Sequence, residues 1–158
     1  MSQLRQGGIN PREIEPRTGT GYPDPYRENV VARSKLALGD AFGLSRYGVN
    51  LVELSPGTWS SQRHWHTHED EFVFVVSGEL TLITDAGEQV LSPGMVAGFP
   101  AGESNGHHLI NKSDGTASYL EIGDRNPLDE TFYPDIDLLF KVNDKGEHEF
   151  TNRDGVPY

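Results

Sequence analysis

Residues 57–78 read GTWSSQRHWHTHEDEFVFVVSG, a stretch in which three histidines and three acidic residues fall within eight positions. They are His64, His66, His68, Glu69, Asp70 and Glu71. Side chains two positions apart in an extended strand project from the same face, so His64 and His66 are predicted to point towards one place. Glu71 opens the next apolar run and can reach back to that place. Imidazole nitrogens and carboxylate oxygens are ligands of divalent transition metals, so the stretch predicts a metal site.

Glu71 stands at the head of an unbroken apolar segment, FVFVV at 72–76. A run of strand-forming residues without alternation predicts a strand that is buried on both faces. A carboxylate at the entrance to such a strand loses hydration and needs a cation or hydrogen-bond donors to compensate. This requirement favours a ligand role for Glu71 over simple exposure.

A fourth ligand has to come from another part of the chain, and His107 and His108 are the candidates in the central region. Neighbouring residues of a strand face opposite sides, so at most one of the two points inward. His107 shares a face with Leu109 and Asn111, whereas His108 shares a face with Ile110. Strand periodicity alone leaves the choice open.

The 158 residues suffice for one domain with a real core, and the 18 glycines and 10 prolines suit short strands joined by turns. About eight short extended segments lie between 43 and 123, including 46–54, 59–66 and a hairpin that turns at 85–87. This pattern predicts an all-β sandwich or barrel rather than alternating strands and helices.

Polar segments flank the predicted barrel, which divides the chain into an N-terminal arm (1–42), a barrel (43–123) and a C-terminal tail (124–158). Four prolines predict irregular structure up to about Asn29. Residues 30–41 are predicted to be a weak helix or an edge strand. Residues 138–142 and 147–151 are predicted to form a terminal hairpin. The tail is expected to pack on the barrel or on a partner subunit, and we expect a homodimer.

The formal net charge of −11 repels nucleic acid and anionic membranes. The 13 basic residues are scattered along the sequence, whereas such binding requires clustered lysine and arginine. Cysteine is absent, which removes disulfides and thiol catalysis and fits a reducing compartment. The N-terminus lacks the apolar core of a signal peptide, and no apolar run approaches the ~20 residues of a membrane span. A cytoplasmic location is therefore expected.

Two motifs in this sequence resemble those of the cupin superfamily. The first motif consists of Gly57, His64, His66, Glu71 and Gly78, and the second of Gly94, Pro100, Gly102, His107 and Asn111. The spacing from Gly57 to His64 is one residue longer than usual, and that from Gly102 to His107 is two residues longer. The resemblance implies an all-β double-stranded β-helix (jelly roll) with a divalent transition metal (Zn, Mn, Fe, Ni or Co). It implies that the metal ligands are His64, His66, Glu71 and His107.

The resemblance implies a metal-dependent enzyme that acts on a small oxygenated molecule, such as a sugar or sugar-phosphate isomerase or a dioxygenase. A small-molecule-binding or sensing cupin without turnover is the alternative, and a storage role is less favoured because all four metal positions are filled. Side chains predicted to bind the substrate are Gln62, His68, Tyr119 and Glu121. The acid/base residue stays open among His68, Tyr119 and Glu121. The cations near the motifs are Arg46, Arg63 and Lys112.

Overall fold

The computed structural model describes residues 7–143 and 145–158. Within these ranges the chain forms thirteen β-strands, a four-residue α-helix (α1, Leu38–Ala41) and a 3-10 helix at Pro11–Glu13. No helix in this part of the chain is long and apolar enough to cross a membrane. The first six residues of the predicted arm, and Asp144 in the predicted terminal hairpin, lie outside the described residues.

The strands are β1 (Arg17–Thr18), β2 (Ser34–Ala37), β3 (Tyr47–Leu54), β4 (Trp65–His66), β5 (Glu71–Ser77), β6 (Leu80–Thr84), β7 (Gly87–Leu91), β8 (Val96–Phe99), β9 (His108–Ile110), β10 (Ala117–Asp124), β11 (Thr131–Tyr133), β12 (Leu138–Val142) and β13 (His148–Thr151).

Three antiparallel sheets contain these strands. The largest has the order β1-β2-β3-β10-β5-β8, the second β13-β12-β11-β4 and the third β7-β6-β9. Strand β10 lies between β3 and β5 although it follows both by many residues, so the chain winds back through the large sheet. The architecture confirms the predicted all-β jelly roll.

The hydrophobic core fills the space between the large sheet and the three-stranded sheet. The large sheet contributes Val52, Leu54, Val73, Val75, Ala117 and Tyr119, and the small sheet contributes Leu80, Leu82, Leu91 and Leu109. The turn from β5 into β6 approaches β10 closely at Gly78, where φ is +72°. A Cβ there would lie 2.7 Å from the Cα of Ala117, which explains why the first motif ends in glycine.

Strand β5 is not buried on both faces, so that prediction is wrong. Val73 and Val75 are 1% and 0% exposed, but Phe72, Phe74 and Val76 are 40%, 38% and 44% exposed. The strand alternates because only the inner face of the large sheet packs on the core. A continuous apolar run does not reveal whether another layer covers the second face.

The N-terminal segment adds strands to the large sheet. Within 30–41 the structure has both of the predicted alternatives, because β2 pairs with β3 and the single turn α1 follows it. Strand β1 pairs with β2, so part of the predicted arm extends the sheet. The segment 59–66 is less regular than predicted, with only β4 in a ladder and single bridges at Trp59 and His64.

The C-terminal segment contains the predicted terminal hairpin, since β12 pairs with β13 in antiparallel register. Strand β11 joins this hairpin to β4 and so attaches the tail to the strand that carries His66. The division of the chain at 42 and 123 stays a prediction.

The outer face of the large sheet is apolar at its centre. One row of side chains runs in register across five strands: Leu36, Leu51, Leu120, Phe74 and Val96. With a net charge of −11, two copies of this chain repel each other least where uncharged faces meet. We therefore propose that a second copy covers this face in a homodimer.

Replacing Phe74 by Glu is expected to convert the dimer into a monomer, because it places a charge at the centre of the proposed interface. The mass in solution at micromolar concentration, from light scattering or sedimentation, measures this. Val90→Glu is the matched control, since Val90 is 51% exposed on a different sheet. A wild-type mass of one chain, or a Phe74→Glu variant that stays dimeric, contradicts the proposal.

Candidate metal centre and its cavity

Three imidazoles surround one carboxylate oxygen at the open end of the barrel. The Nε2 atoms of His64, His66 and His107 lie 3.6, 3.6 and 3.2 Å from Oε2 of Glu71. His64 and His107 are brought together by two backbone hydrogen bonds, from His64 N to His107 O at 3.1 Å and from His107 N to His64 O at 2.8 Å. The four side chains predicted as metal ligands therefore form one group, here called the His/Glu cluster.

Acceptors behind two of the imidazoles orient the rings. Nδ1 of His64 lies 2.9 Å from the carbonyl oxygen of Gln62 and 3.2 Å from the Ser61 hydroxyl. Nδ1 of His66 lies 2.7 Å from Oδ2 of Asp129. A carbonyl and a carboxylate can only accept, so each Nδ1 donates and Nε2 is the nitrogen that faces the cluster. A metal that binds His66 has to displace the second proton of that ring.

Packing holds the third imidazole. The ring of His107 stacks on Phe99, with centroids 3.5 Å apart and planes 2° from parallel. Its Nδ1 atom is buried without a hydrogen bond in the described structure, whereas Nε2 faces Glu71. The one polar contact of this ring is thus directed into the cluster.

The cluster carries strongly perturbed charges. Burial opposes ionisation of Glu71, but contacts with the imidazoles, His107 foremost, hold the pKa of Glu71 well below 4.5. Burial lowers the pKa of His107, which leaves that ring neutral. Burial also disfavours the cationic form of His66, but Asp129 and Glu71 outweigh it and raise the pKa of His66 to about 10. In the metal-free protein the positive charge of a protonated His66 thus partly offsets the negative charges of Glu71 and Asp129.

The donor set fits a divalent transition metal. Ligand atoms of His64, His66 and Glu71 all lie within 4.8 Å of one another. Ligands bonded at about 2.1 Å to one ion are separated by roughly 3.0–3.4 Å, close to the observed spacing around Glu71. Three imidazole nitrogens and one carboxylate oxygen would leave one or two positions open on a five- or six-coordinate ion.

A second acidic group lies behind His66 and includes Glu69 and Asp129. Asp129 also accepts from the backbone N–H of His68 at 2.9 Å, and Glu69 accepts from that of Asn126 at 2.7 Å. Both carboxylates are thus engaged by backbone donors. Asp129 contacts Nδ1 of His66 and so supports that ring, whereas Glu69 lines the cavity.

A cavity of about 540 Å³ opens beside the His/Glu cluster. The inward-facing row of the large sheet next to Glu71 contains Gly123 on β10 and Gly48 on β3. Neither residue has a side chain, so the row leaves space directly beside Glu71. A small molecule can therefore reach the cluster from the cavity.

Of the four side chains predicted to bind the substrate, two line the cavity and two do not. Tyr119 and Glu121, two positions apart on β10, both line the cavity. Gln62 does not line it, because its side-chain amide donates to the carbonyl of Tyr26 at 2.7 Å. His68 is exposed and also lies outside the lining. The binding role of these residues stays a prediction.

The cations of the cavity are not those noted from the sequence. Arg63 and Lys112 are paired with exposed carboxylates, and neither they nor Arg46 line the cavity. Arg33 and Lys35 from the N-terminal segment and Arg125 from the C-terminal segment do so instead. The sequence also gives no indication of Asp129, which orients His66. No local pattern marks these residues, because only the pairing of distant strands places them at the site.

This double-stranded β-helix, with three histidines and a glutamate at its open end, defines a cupin. The family model for the cupin domain matches residues 50–123. The chain also aligns with a cupin-superfamily sugar phosphate isomerase from Silicibacter pomeroyi at 44% identity and a TM-score of 0.91, over 96% of both chains. The chain belongs to the cupin superfamily.

Two other solved structures are similar to this chain at lower identity and lower TM-score. A proposed sugar phosphate isomerase from Acidithiobacillus ferrooxidans is 31% identical, with a TM-score of 0.72 over 80% of each chain. A predicted oxalate decarboxylase from Thermotoga maritima shares the fold at 16% identity and a TM-score of 0.62, over 76% of this chain and 100% of that one. A comparison with curated proteins found no match.

Replacing His66 by Ala is expected to weaken binding of a divalent metal at least about 100-fold, because the change removes a ligand atom. Titration with Zn²⁺ or Mn²⁺ and elemental analysis measure this loss. Metal-dependent stabilisation in thermal unfolding should disappear with it. The exposed His68→Ala variant is the matched control. Full metal occupancy in the His66→Ala variant would contradict the assignment of His66 as a metal ligand.

The free energy of unfolding of the metal-free protein is expected to fall as pH rises from 6.5 towards 10. The pKa of His66 is raised from 6.5 to about 10, so its stabilising proton is fully present below pH 6.5 and lost as pH approaches 10. Urea unfolding in the presence of a chelator should show that the free energy of unfolding decreases by up to a few kcal/mol over this pH range. Asp129→Asn should reduce this slope, and an unchanged slope in that variant contradicts the explanation.

Proposed function

We propose that this protein is a metal-dependent isomerase of a small hydroxy-carbonyl sugar or sugar phosphate. The observation that carries the proposal is a carboxylate, Glu121, that faces the same cavity as the His/Glu cluster. On the inner face of the sheet, Glu121 of β10 lies opposite Val73 of β5. The next inward-facing pair along these two strands is Gly123 and Glu71. A ligand that reaches the cluster would therefore also meet Glu121.

A bound divalent metal would polarise the carbonyl and the neighbouring hydroxyl of such a substrate. The reaction then needs a base that takes a proton from the hydroxyl-bearing carbon and returns it to the carbonyl carbon, while the hydroxyl proton passes to the former carbonyl oxygen. Such a base must lie in the cavity and must be able to accept a proton. These two conditions decide among the three predicted candidates.

Glu121 meets both conditions. Its Oε1 atom accepts from Nζ of Lys35 at 2.6 Å and from the side-chain amide of Asn50 at 3.0 Å, so the carboxylate is held in one orientation. Burial raises the pKa of Tyr119 well above 10, which keeps that hydroxyl protonated and makes it a donor. His68 lies outside the cavity. Glu121 is therefore the proposed base.

The comparisons support this function at the level of the class. The similar protein from Silicibacter pomeroyi is described as a sugar phosphate isomerase. The structures below 25% identity support the fold alone. A dioxygenase-like reaction and ligand binding without turnover are the competing functions, and the same assay separates them. We propose no single metal, because this donor set suits several divalent transition metals.

Glu121→Gln is expected to lower kcat by about 100- to 10,000-fold while metal content stays unchanged, because the amide keeps the shape but accepts no proton. Proton NMR in D₂O, with aldoses, ketoses and their phosphates as substrates, measures exchange at carbon and isomer formation. The control is Glu88→Gln, since Glu88 pairs with Lys112 outside the cavity.

Full activity in Glu121→Gln would remove this residue from the mechanism. Ligand-induced stabilisation without exchange, whichever metal is loaded, would favour the binding function. Consumption of O₂ that depends on the sugar would favour the dioxygenase-like reaction.

A further inference from the structure

Arg33 differs from the other cations that line the cavity. Lys35 is paired with Glu121 at 2.6 Å, and Arg125 is paired with Asp40. Arg33 has no carboxylate within ion-pair distance among the residues that the structure describes. A guanidinium without an anionic partner, inside a cavity of so acidic a protein, is expected to attract an anion.

Three tyrosines line the cavity together with Arg33. They are Tyr22, Tyr119 and Tyr133, and burial raises the pKa of each hydroxyl. The positive charge of Arg33 opposes that rise at all three. One N–H of Arg33 donates to the carbonyl oxygen of Ser60, and a guanidinium has further N–H donors beyond that one.

The Tyr119 hydroxyl is a donor without an acceptor. It is buried and makes no hydrogen bond of standard geometry in the described structure, although the Ser60 hydroxyl lies close enough to lower its pKa slightly. A buried hydroxyl left unpaired costs free energy, so such groups usually meet a partner in the functional state. Arg33 and Tyr119 together offer a charged and a neutral donor on one side of the cavity.

We propose that Arg33 and the Tyr119 hydroxyl bind the phosphate group of a phosphorylated substrate whose hydroxy-carbonyl end lies at the His/Glu cluster. The proposal rests on the isomerase function above and specifies its substrate as a phosphate monoester. The planar guanidinium fork matches two phosphate oxygens, and the hydroxyl can donate to a third.

The position of Arg33 in the chain adds a second argument. Arg33 lies outside residues 50–123, which match the cupin domain, whereas all four members of the His/Glu cluster lie inside them. The residues that would hold a metal thus come from the shared domain, as does Tyr119, and the charged residue of the proposed phosphate site comes from the N-terminal segment.

Isothermal titration of the full-length protein tests the proposal with three ligands: inorganic phosphate, a pentose phosphate and the free pentose. Arg33→Met is expected to weaken binding of the two phosphates by about 10- to 100-fold and to leave the free pentose unaffected. Arg33→Lys should restore part of the affinity. Lys112→Met is the matched control, because it removes one positive charge outside the cavity.

Tyr119→Phe provides an independent test, since it removes one hydroxyl and keeps the ring in the core. It should weaken the pentose phosphate several-fold and leave the free pentose unchanged. Wild-type protein that binds no phosphate, or equal phosphate affinity in wild type and in both variants, overturns the proposal.

The His66→Ala variant separates this inference from the isomerase function. Phosphate binding that depends on Arg33 in that metal-depleted variant supports the anion site independently of catalysis. The same binding in a wild-type protein that exchanges no substrate proton with any metal would overturn the isomerase function and still support the phosphate site.

Discussion

A half-buried, ionised carboxylate is the constraint on which the site depends. Glu71 begins a core strand, where its charge loses hydration, and the three imidazoles around it are the compensation that the fold provides. An imidazole is neutral unless it carries a proton or shares a metal, unlike an arginine, which is always charged. In the metal-free protein a proton on His66 supplies one positive charge to Glu71 and Asp129. A bound divalent cation would replace that proton and add to the compensation.

The parts of the fold around Glu71 follow from the same constraint. The backbone bridge of His64 and His107 brings two distant segments to one carboxylate oxygen. Asp129, from the tail, fixes the ring of His66, and Phe99 stacks on His107. The sheet row beside the carboxylate contains glycines, so the charge is accessible from the cavity. The barrel supplies the charged centre, and the flanking segments orient it and surround its entrance.

Net charge alone does not describe the cavity of this protein. A charge of −11 argues against an anionic ligand when it is considered for the whole chain. Carboxylates also outnumber cations in the lining of the cavity, which contains Glu69, Asp70, Glu71, Glu121 and Asp124 beside Arg33, Lys35 and Arg125. Lys35 and Arg125 are paired with carboxylates, so the case for an anionic ligand depends on the position of one cation, Arg33, and not on the total charge.

The sequence by itself determined which residues form the cluster and that the fold is a jelly roll. The spacing of two strand positions in the first motif is a local pattern, and strand geometry places His64 and His66 on one face. Strand geometry did not choose between His107 and His108, and the resemblance of the second motif to that of cupins implied His107. The same patterns placed Tyr119 and Glu121 on one face of a strand. For these features, short-range periodicity carries enough information.

Tertiary structure decided the rest, because it depends on which distant strands pair and which faces are covered. Whether Phe72 and Phe74 are buried depends on a second layer, and no layer formed by residues 7–143 and 145–158 covers them. Gln62 lies at a favourable position along the strand but is engaged by the N-terminal segment. Asp129 and Arg33 lie far from the motifs in sequence and belong to no local pattern. Only the register of the assembled sheets brings them to the cavity.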